Sequence, residues 1–524
     1  MPNRFDAIIV GSGFGGSAVA LTLARAGRRV LIIERGRWVD RDDSAWDPVA
    51  IQIEQKYRSE SGDEVDGRRG RTVVFPDSTV GGKSVFYGAA SLRLREQDFV
   101  TSRRFDDPLP ACPDWPIDYD DLAPYYDQAE REIGVAGVAG RDPFEPPRQQ
   151  PFAVRPPAYG TSARKIAEAA ESLGLRPFPL PLAINFEATH GRTTCIRCMT
   201  CDLYPCKIEA KNDLAVTLLP AARALGAEIR DRTVAVRLVR TGDCIEAVEC
   251  LSLVNGERET LHADIFVASA GALHTPALLI RSGLAEVAPN GPLIGRYLMR
   301  HCSGIVIGIF PFRTNPERMF HKQVALTDFY FGRPGQEPHG PWGSIQALQT
   351  PPPEFVRHEA PYPPPIGRIA AMALPFQAYL LCMAEDLPQQ ENRVEVDVSR
   401  HDALDIPMTR VFHRYLDRDH NARHALYREA TRILRRAGAL LRVRLPIHTY
   451  SHALGTCRFG DDPTTSVLDP WCGFHGIPNL AVVDASFMPT SGGVNPSLTI
   501  AANAFRVGAH LVERWDDRVA GKRP

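Results

Sequence analysis

The chain begins with an apolar run, Phe5-Asp6-Ala7-Ile8-Ile9-Val10, that has the length and composition of a strand and leads directly into a glycine-rich turn. Beyond the turn, residues 17–26 carry a helical pattern, and Gly27 supplies the stop. A second apolar run, 29–33, completes a strand–helix–strand unit. Far along the chain, Leu480 to Val483 repeats the buried-strand pattern. Asn495-Pro496 then opens a helix through Ala501, Phe505 and Leu511, with Asn at a preferred N-cap and Pro at a preferred first position. Between these ends lie a strand-sized apolar run at 304–310 and an alternation of Ser344, Gln346 and Thr350 on one face of a candidate strand. Such a face suits either a polyhydroxylated ligand or solvent.

Composition narrows the classes of function. The net charge is −1 over 524 residues, which removes the simplest argument for nucleic acid or an anionic membrane surface as partner. No apolar run approaches the ~18 to 20 residues of a membrane span. The chain opens on a strand rather than a basic and apolar leader, so a cytoplasmic address is expected. Eleven cysteines, an odd number spread over the whole chain, fit a reducing compartment. Gly (41) and Pro (44) make up about 16% of the residues, a level suited to many ordered turns.

The turn itself carries chemistry. Gly11-Ser12-Gly13-Phe14-Gly15-Gly16 satisfies G-x-G-x-x-G between a strand and a helix, the setting in which backbone N–H groups and a helix N-terminus hold a pyrophosphate. Gly11 permits the tight turn, Gly13 the approach of the phosphates, and Gly16 close helix–strand contact. Glu34, followed by Arg35, ends the second strand where a ribose 2′-hydroxyl needs an acceptor, which argues against a 2′-phosphate. No second fingerprint of this kind is found, favouring a single dinucleotide. At the far end, the N-terminus of the helix after Asn495-Pro496 would stabilise negative charge on a reduced flavin.

The motifs beside these elements resemble those of the glucose-methanol-choline flavoprotein oxidoreductases over nearly the whole chain. They are VGGKSVFYGAASLR (80–93), WPIDYDDLAPYYDQAE (115–130), VASAGALHTPALLIRSG (267–283), EDLPQQENRVEVD (385–397), HALGTC (452–457) and NPSLTI (495–500), in the family's order. The resemblance implies an α/β protein with a Rossmann-like FAD-binding domain interleaved with an α+β substrate domain built on an antiparallel sheet. The expected division is 1–100, 190–300 and 452–524 for the flavin domain and 101–189 and 301–451 for the substrate domain. The resemblance also implies His452 and Asn495 as catalytic residues, with His452 taking a hydroxyl proton while hydride passes to the flavin. Gly82, Ser84, Gly88, Ala89 and Ala90 would lie along the pyrophosphate and flavin edge. Val234 would meet the adenine, Asp484 would approach the pyrophosphate and ribityl chain, and Phe14, Gly15, Ala270, Ala485, Pro496 and Ser497 complete the expected FAD contacts. Tyr87 stands where many members have Asn. The segment lacks the histidine that tethers flavin covalently in some members, so dissociable FAD is expected.

The implied reaction is oxidation of a CH–OH group, in a sugar, glycoside or polyol by the look of the NRVEVD and DALDIPMTRVFHRY segments. Simple, aromatic or sterol alcohols are the alternative, and a lyase, a decarboxylase or a flavin-bound binding protein are the rivals of other classes. Dioxygen, a quinone or a redox protein would serve as electron acceptor. His274, His301 and His475 match no active-site position and read as structural. Cys195, Cys198, Cys201 and Cys206 form C-x₂-C-x₂-C-x₄-C, a spacing near that of iron–sulfur and zinc sites. Packed thiols or a redox-labile pair are the preferred reading, and no metal is expected. The Pro-rich stretch 351–365 reads as a stiff loop over the active site or an ordinary surface connection.

Overall fold

A computed structural model describes residues 4–67, 70–104, 112–188, 191–359 and 364–520. The opening unit forms as the pattern predicts: strand Arg4–Val10, helix Phe14–Arg25 and strand Val30–Ile33. The two strands pair in parallel, and Arg4–Val10 also runs parallel to Arg258–Ala268. Among the described residues this sheet has seven strands. Glu228–Arg230 lies at one edge, and the antiparallel strands Cys244–Ser252 and Thr233–Thr241 lie at the other. Leu480–Val482 pairs with the C-terminal half of Arg258–Ala268, which brings the far end of the chain beside its beginning. Buried aliphatic residues at both faces account for the near-continuous apolar runs, as parallel strands covered on both sides require.

A second, antiparallel sheet runs in the order Leu441–Pro446, Cys302–Ile309, Gln377–Ala384, Gly343–Leu348, Val324–Leu326 and Phe178–Pro179. One face is closed by the helices Asp417–Arg436 and Thr161–Glu171, through Val306, Ile345, Leu380 and Cys382 packed against Ile166, Leu426 and Ile433. Alternate residues of the same strands, Ser303, Ile305, Leu381 and Met383, turn the other way and line a cavity. A third sheet joins Asp63–Gly67 and Gly70–Val74 to Pro407–Phe412 and Arg393–His401, and supplies another wall.

Two local expectations are corrected. The Pro-rich stretch is no extended loop. It forms helices Pro353–Glu359 and Pro364–Ala373, each with Pro as its first residue, where a fixed φ and a missing N–H cost nothing. Residues 360–363 lie outside the described ones. The C-terminal helix begins at Ser497, with Pro496 at the cap position and no side-chain cap, so the Asn495 amide is released from capping.

Candidate active site

The three sheets enclose a cavity of about 2460 Å³ that reaches from the glycine turn to the antiparallel sheet. The turn is shaped by contacts that leave no room for a side chain. A Cβ on Gly11 would lie 2.2 Å from the Ser269 carbonyl oxygen, one on Gly15 2.2 Å from that of Val483, and one on Gly16 2.0 Å from that of Gly11. Gly13 differs. Among the described residues, nothing lies within 4 Å of its missing Cβ; it faces the cavity, and it caps the Phe14–Arg25 helix with no side-chain acceptor and no acidic residue in the first turn. The first N–H groups of that helix are therefore open to an anion, a cradle that fits the pyrophosphate of FAD. Glu34 is held rigid at the end of its strand by Ser12 N and Oγ, at 3.0 and 2.7 Å, and by Gly36 N at 2.8 Å.

Phe14, Arg35, Gly82, Gly88, Ala90, Val234, Ala270, Ala485, Pro496 and Ser497 also line the cavity. Gly16, Ser84 and Ala89 do not. Gly16 packs against the turn, Ser84 Oγ bridges the Gly81 carbonyl and Leu214 N, and Ala89 sits at positive φ with its carbonyl bonded to Ala183 N. These three shape the wall from behind. Gly88 makes room for an ion pair, Lys322 Nζ to Asp202 Oδ1 at 2.8 Å, that a Cβ would collide with. Tyr87 lines the cavity and donates its hydroxyl to the Asn212 carbonyl. The Asp484 carboxylate accepts from Gly271 N, Thr275 Oγ1 and Ser486 N, and burial raises its pKa.

His452 and Asn495 both face this cavity. His452 is joined there by His301, read as structural from the sequence. Their Nδ1 atoms lie 3.0 Å apart with the rings nearly perpendicular, and His301 Nε2 is 3.1 Å from the Gly492 carbonyl oxygen. A carbonyl only accepts, so His301 carries its proton on Nε2 and accepts at Nδ1. His452 must then donate from Nδ1, which leaves Nε2 as a bare acceptor. Burial, with His301, Lys83 and Lys322 nearby, pushes the His452 pKa well below its ordinary value, and burial pushes His301 down to about 4. Both rings are neutral at neutral pH. Across the site, Gln346 Nε2 donates to Asn495 Oδ1 at 2.9 Å.

The remaining sequence candidates separate. His274 lines the cavity 3.3 Å from Arg35 and 3.4 Å from Asp63, whereas His475 bonds Ser466 away from it. Ser344 and Gln346 share the face the alternation predicts, while Thr350 lies beyond the strand and meets His321. All eleven cysteines are free. Cys198 is held down to about 5 by its contact with Cys201, whose own pKa that contact and burial raise. Among the described residues, no group of three or more His, Cys, Asp or Glu is placed to hold a metal ion. None of the four clustered cysteines reaches the cavity wall, although Met199 and Thr200 between them do.

Comparison with known proteins agrees with this architecture. Residues 5–303 match the N-terminal part, and 388–504 the C-terminal part, of GMC oxidoreductase. The chain belongs to the GMC oxidoreductase family. It is 33% identical to paromamine 6'-oxidase of Streptomyces fradiae, over 97% of this chain and 92% of that protein. It is 29% identical to 2-methyl-1,2-propanediol dehydrogenase of Mycolicibacterium austroafricanum, over 99% and 97% respectively. Pyridoxine 4-oxidase from Mesorbium loti shares the fold, with a TM-score of 0.68, 22% identity and coverage of 97% of this chain and 99% of that one. As a GMC oxidoreductase, this protein is an FAD-dependent enzyme acting on CH–OH donors. Among the described residues, no helix is long and apolar enough to cross a membrane.

Proposed function

We propose that the enzyme oxidises a hydroxyl-bearing carbon of a sugar, glycoside or polyol to a carbonyl, using dissociable FAD. The observation that carries this reading is the 3.0 Å contact of His452 Nδ1 with His301 Nδ1, which leaves His452 Nε2 as the acceptor in a cavity that Asn495 also lines. His452 accepts the hydroxyl proton, and Asn495 donates to the hydroxyl oxygen and holds it in place. FAD, when bound, supplies the hydride acceptor. Gly11, Gly13, Gly15, Glu34, Val234 and Asp484 hold the dinucleotide. The uncapped, acid-free starts of helices Phe14–Arg25 and Ser497–Glu513 each present positive potential to it.

The likeness to a paromamine oxidase favours an aminosugar or related sugar. A second reading, a short branched alcohol or diol, draws on the apolar row Ile305, Leu381 and Met383 and on the likeness to a propanediol dehydrogenase. We place the substrate domain at 101–189 and 301–451, the flavin domain in the remaining segments, and the enzyme in the cytoplasm, with dioxygen, a quinone or a redox protein reoxidising it. The test is anaerobic addition of sugars, polyols and short diols to the flavin-loaded enzyme. Loss of the visible flavin band with a sugar supports the first reading and with a diol alone the second. A flavin that no alcohol reduces would refute both.

A further inference from the structure

We infer that Gln346 is a positioning residue that sets which end of the Asn495 amide faces the substrate; this rests on the reading of Asn495 given above. Gln346 lies in the strand Gly343–Leu348, between Leu381 and Ala325 of its neighbours, and is fully buried. Its side-chain bond to Asn495, a residue of the cavity wall, connects it to the site. Two residues earlier on the same face, Ser344 Oγ donates to the Gly493 carbonyl at 2.8 Å. The strand thus grips the turn before the C-terminal helix at two points, one on the backbone and one on the Asn495 side chain.

The bond has a direction. Gln346 Nε2 donates to Asn495 Oδ1, so the Asn495 carbonyl is turned back toward the sheet and its Nδ2 donors are left for the cavity. That polarity complements His452, whose bare nitrogen accepts. A substrate hydroxyl meets a donor for its oxygen on one side and an acceptor for its proton on the other. Among the described residues, no group partners the buried Gln346 Oε1. A buried amide left half-satisfied destabilises the fold, and an apolar residue of similar length would avoid the cost. The residue is therefore poorly explained as packing and well explained as an orienting group.

Sulfite tests this without turnover. With FAD bound, its sulfur lone pair would add to flavin N5 while the C4a=N5 π pair moves into the ring system, which would bleach the visible band, and donors on the substrate side such as the Asn495 amide would stabilise its oxygens. In the flavin-loaded enzyme, Gln346→Met is expected to retain FAD, to melt at or above the wild-type temperature, and to raise the sulfite Kd about fivefold, the size of one net hydrogen bond. Gln346→Glu, assayed at a pH where the new carboxyl is ionised, offers only acceptors, captures the Asn495 N–H and turns Oδ1 outward, so it should weaken sulfite further. In an Asn495→Ala background, Gln346→Met should have no additional effect. Wild-type sulfite affinity in both Gln346 variants, or an unchanged Gln346→Met effect in the Asn495→Ala background, would overturn the inference alone. If Asn495→Ala itself keeps wild-type sulfite affinity and alcohol oxidation, the reading of Asn495 fails and Gln346 loses its role with it.

Discussion

At the scale of single residues, the site depends on where two protons sit. The chain from the Gly492 carbonyl through His301 to His452 leaves one lone pair exposed, and burial keeps His452 neutral. A base whose pKa is depressed stays competent as pH falls, so anaerobic flavin reduction by a substrate alcohol should be level from about pH 8 to 6.5 and decline only below that. His452→Ala should slow the same step about 10²- to 10⁴-fold while FAD remains bound. His301→Asp would place a carboxylate against His452 Nδ1 and stabilise the imidazolium. The acid limb should then move to higher pH, a shift that the pH profile of the reduction rate reads directly. The place of His452 at the cavity was legible in the sequence through its motif context. That of His301 was not, because its partner lies 151 residues away and nothing in RHCSG marks the residue as part of a site.

At the scale of elements, the glycine turn combines positions whose missing Cβ lets the turn close with one, Gly13, whose missing Cβ opens onto the cavity. Gly16→Ala forces a Cβ against the Gly11 carbonyl and should cost about 1–3 kcal/mol or more, seen as a lower melting temperature of the apoprotein. Gly13→Ala adds a Cβ with no atom of the described residues within 4 Å. Its apoprotein should melt as the wild type does, while FAD titration shows weakened binding, since the new methyl occupies phosphate space. The strand–helix–strand unit was readable because its apolar periods are local. Boundaries moved by up to a few residues, with the first helix starting at Phe14 rather than Ser17 and the last at Ser497. The prolines at 353 and 364 were misread for a physical reason: the same fixed φ that stiffens a loop also starts a helix.

At the scale of the whole molecule, the segments are interleaved. The first sheet takes strands from residues 4–33, 228–268 and 480–482, and the third joins 63–74 to 393–412. Buried ion pairs tie distant segments further: Arg93 meets Asp127 and Glu130, and Arg104 meets Glu385. With the cavity walled by all three sheets, loss of flavin and loss of structure should coincide in one thermal transition, followed by flavin fluorescence and circular dichroism together. Removing FAD should lower that transition. Free FAD at 100 times its Kd contributes about 2.7 kcal/mol, so adding it back to the apoprotein should restore the melting temperature in proportion to its logarithm. A melting temperature indifferent to FAD would show that the folded chain does not bind the dinucleotide.

Local chemistry determined much of this protein in advance. Glycines between a strand and a helix and an acidic residue closing the next strand are properties of short stretches, where steric and hydrogen-bonding rules act between near neighbours, while the histidine and the asparagine were marked by their resemblance to family motifs. Tertiary structure decided what each side chain does with its partners. It turned the Asn495 amide from helix capping to Gln346, gave His452 its proton arrangement through His301, and set Gly88, on the cavity wall, against the Lys322–Asp202 ion pair. Those outcomes depend on contacts between residues separated by more than a hundred positions, and such contacts exist only once the sheets have closed around the cavity.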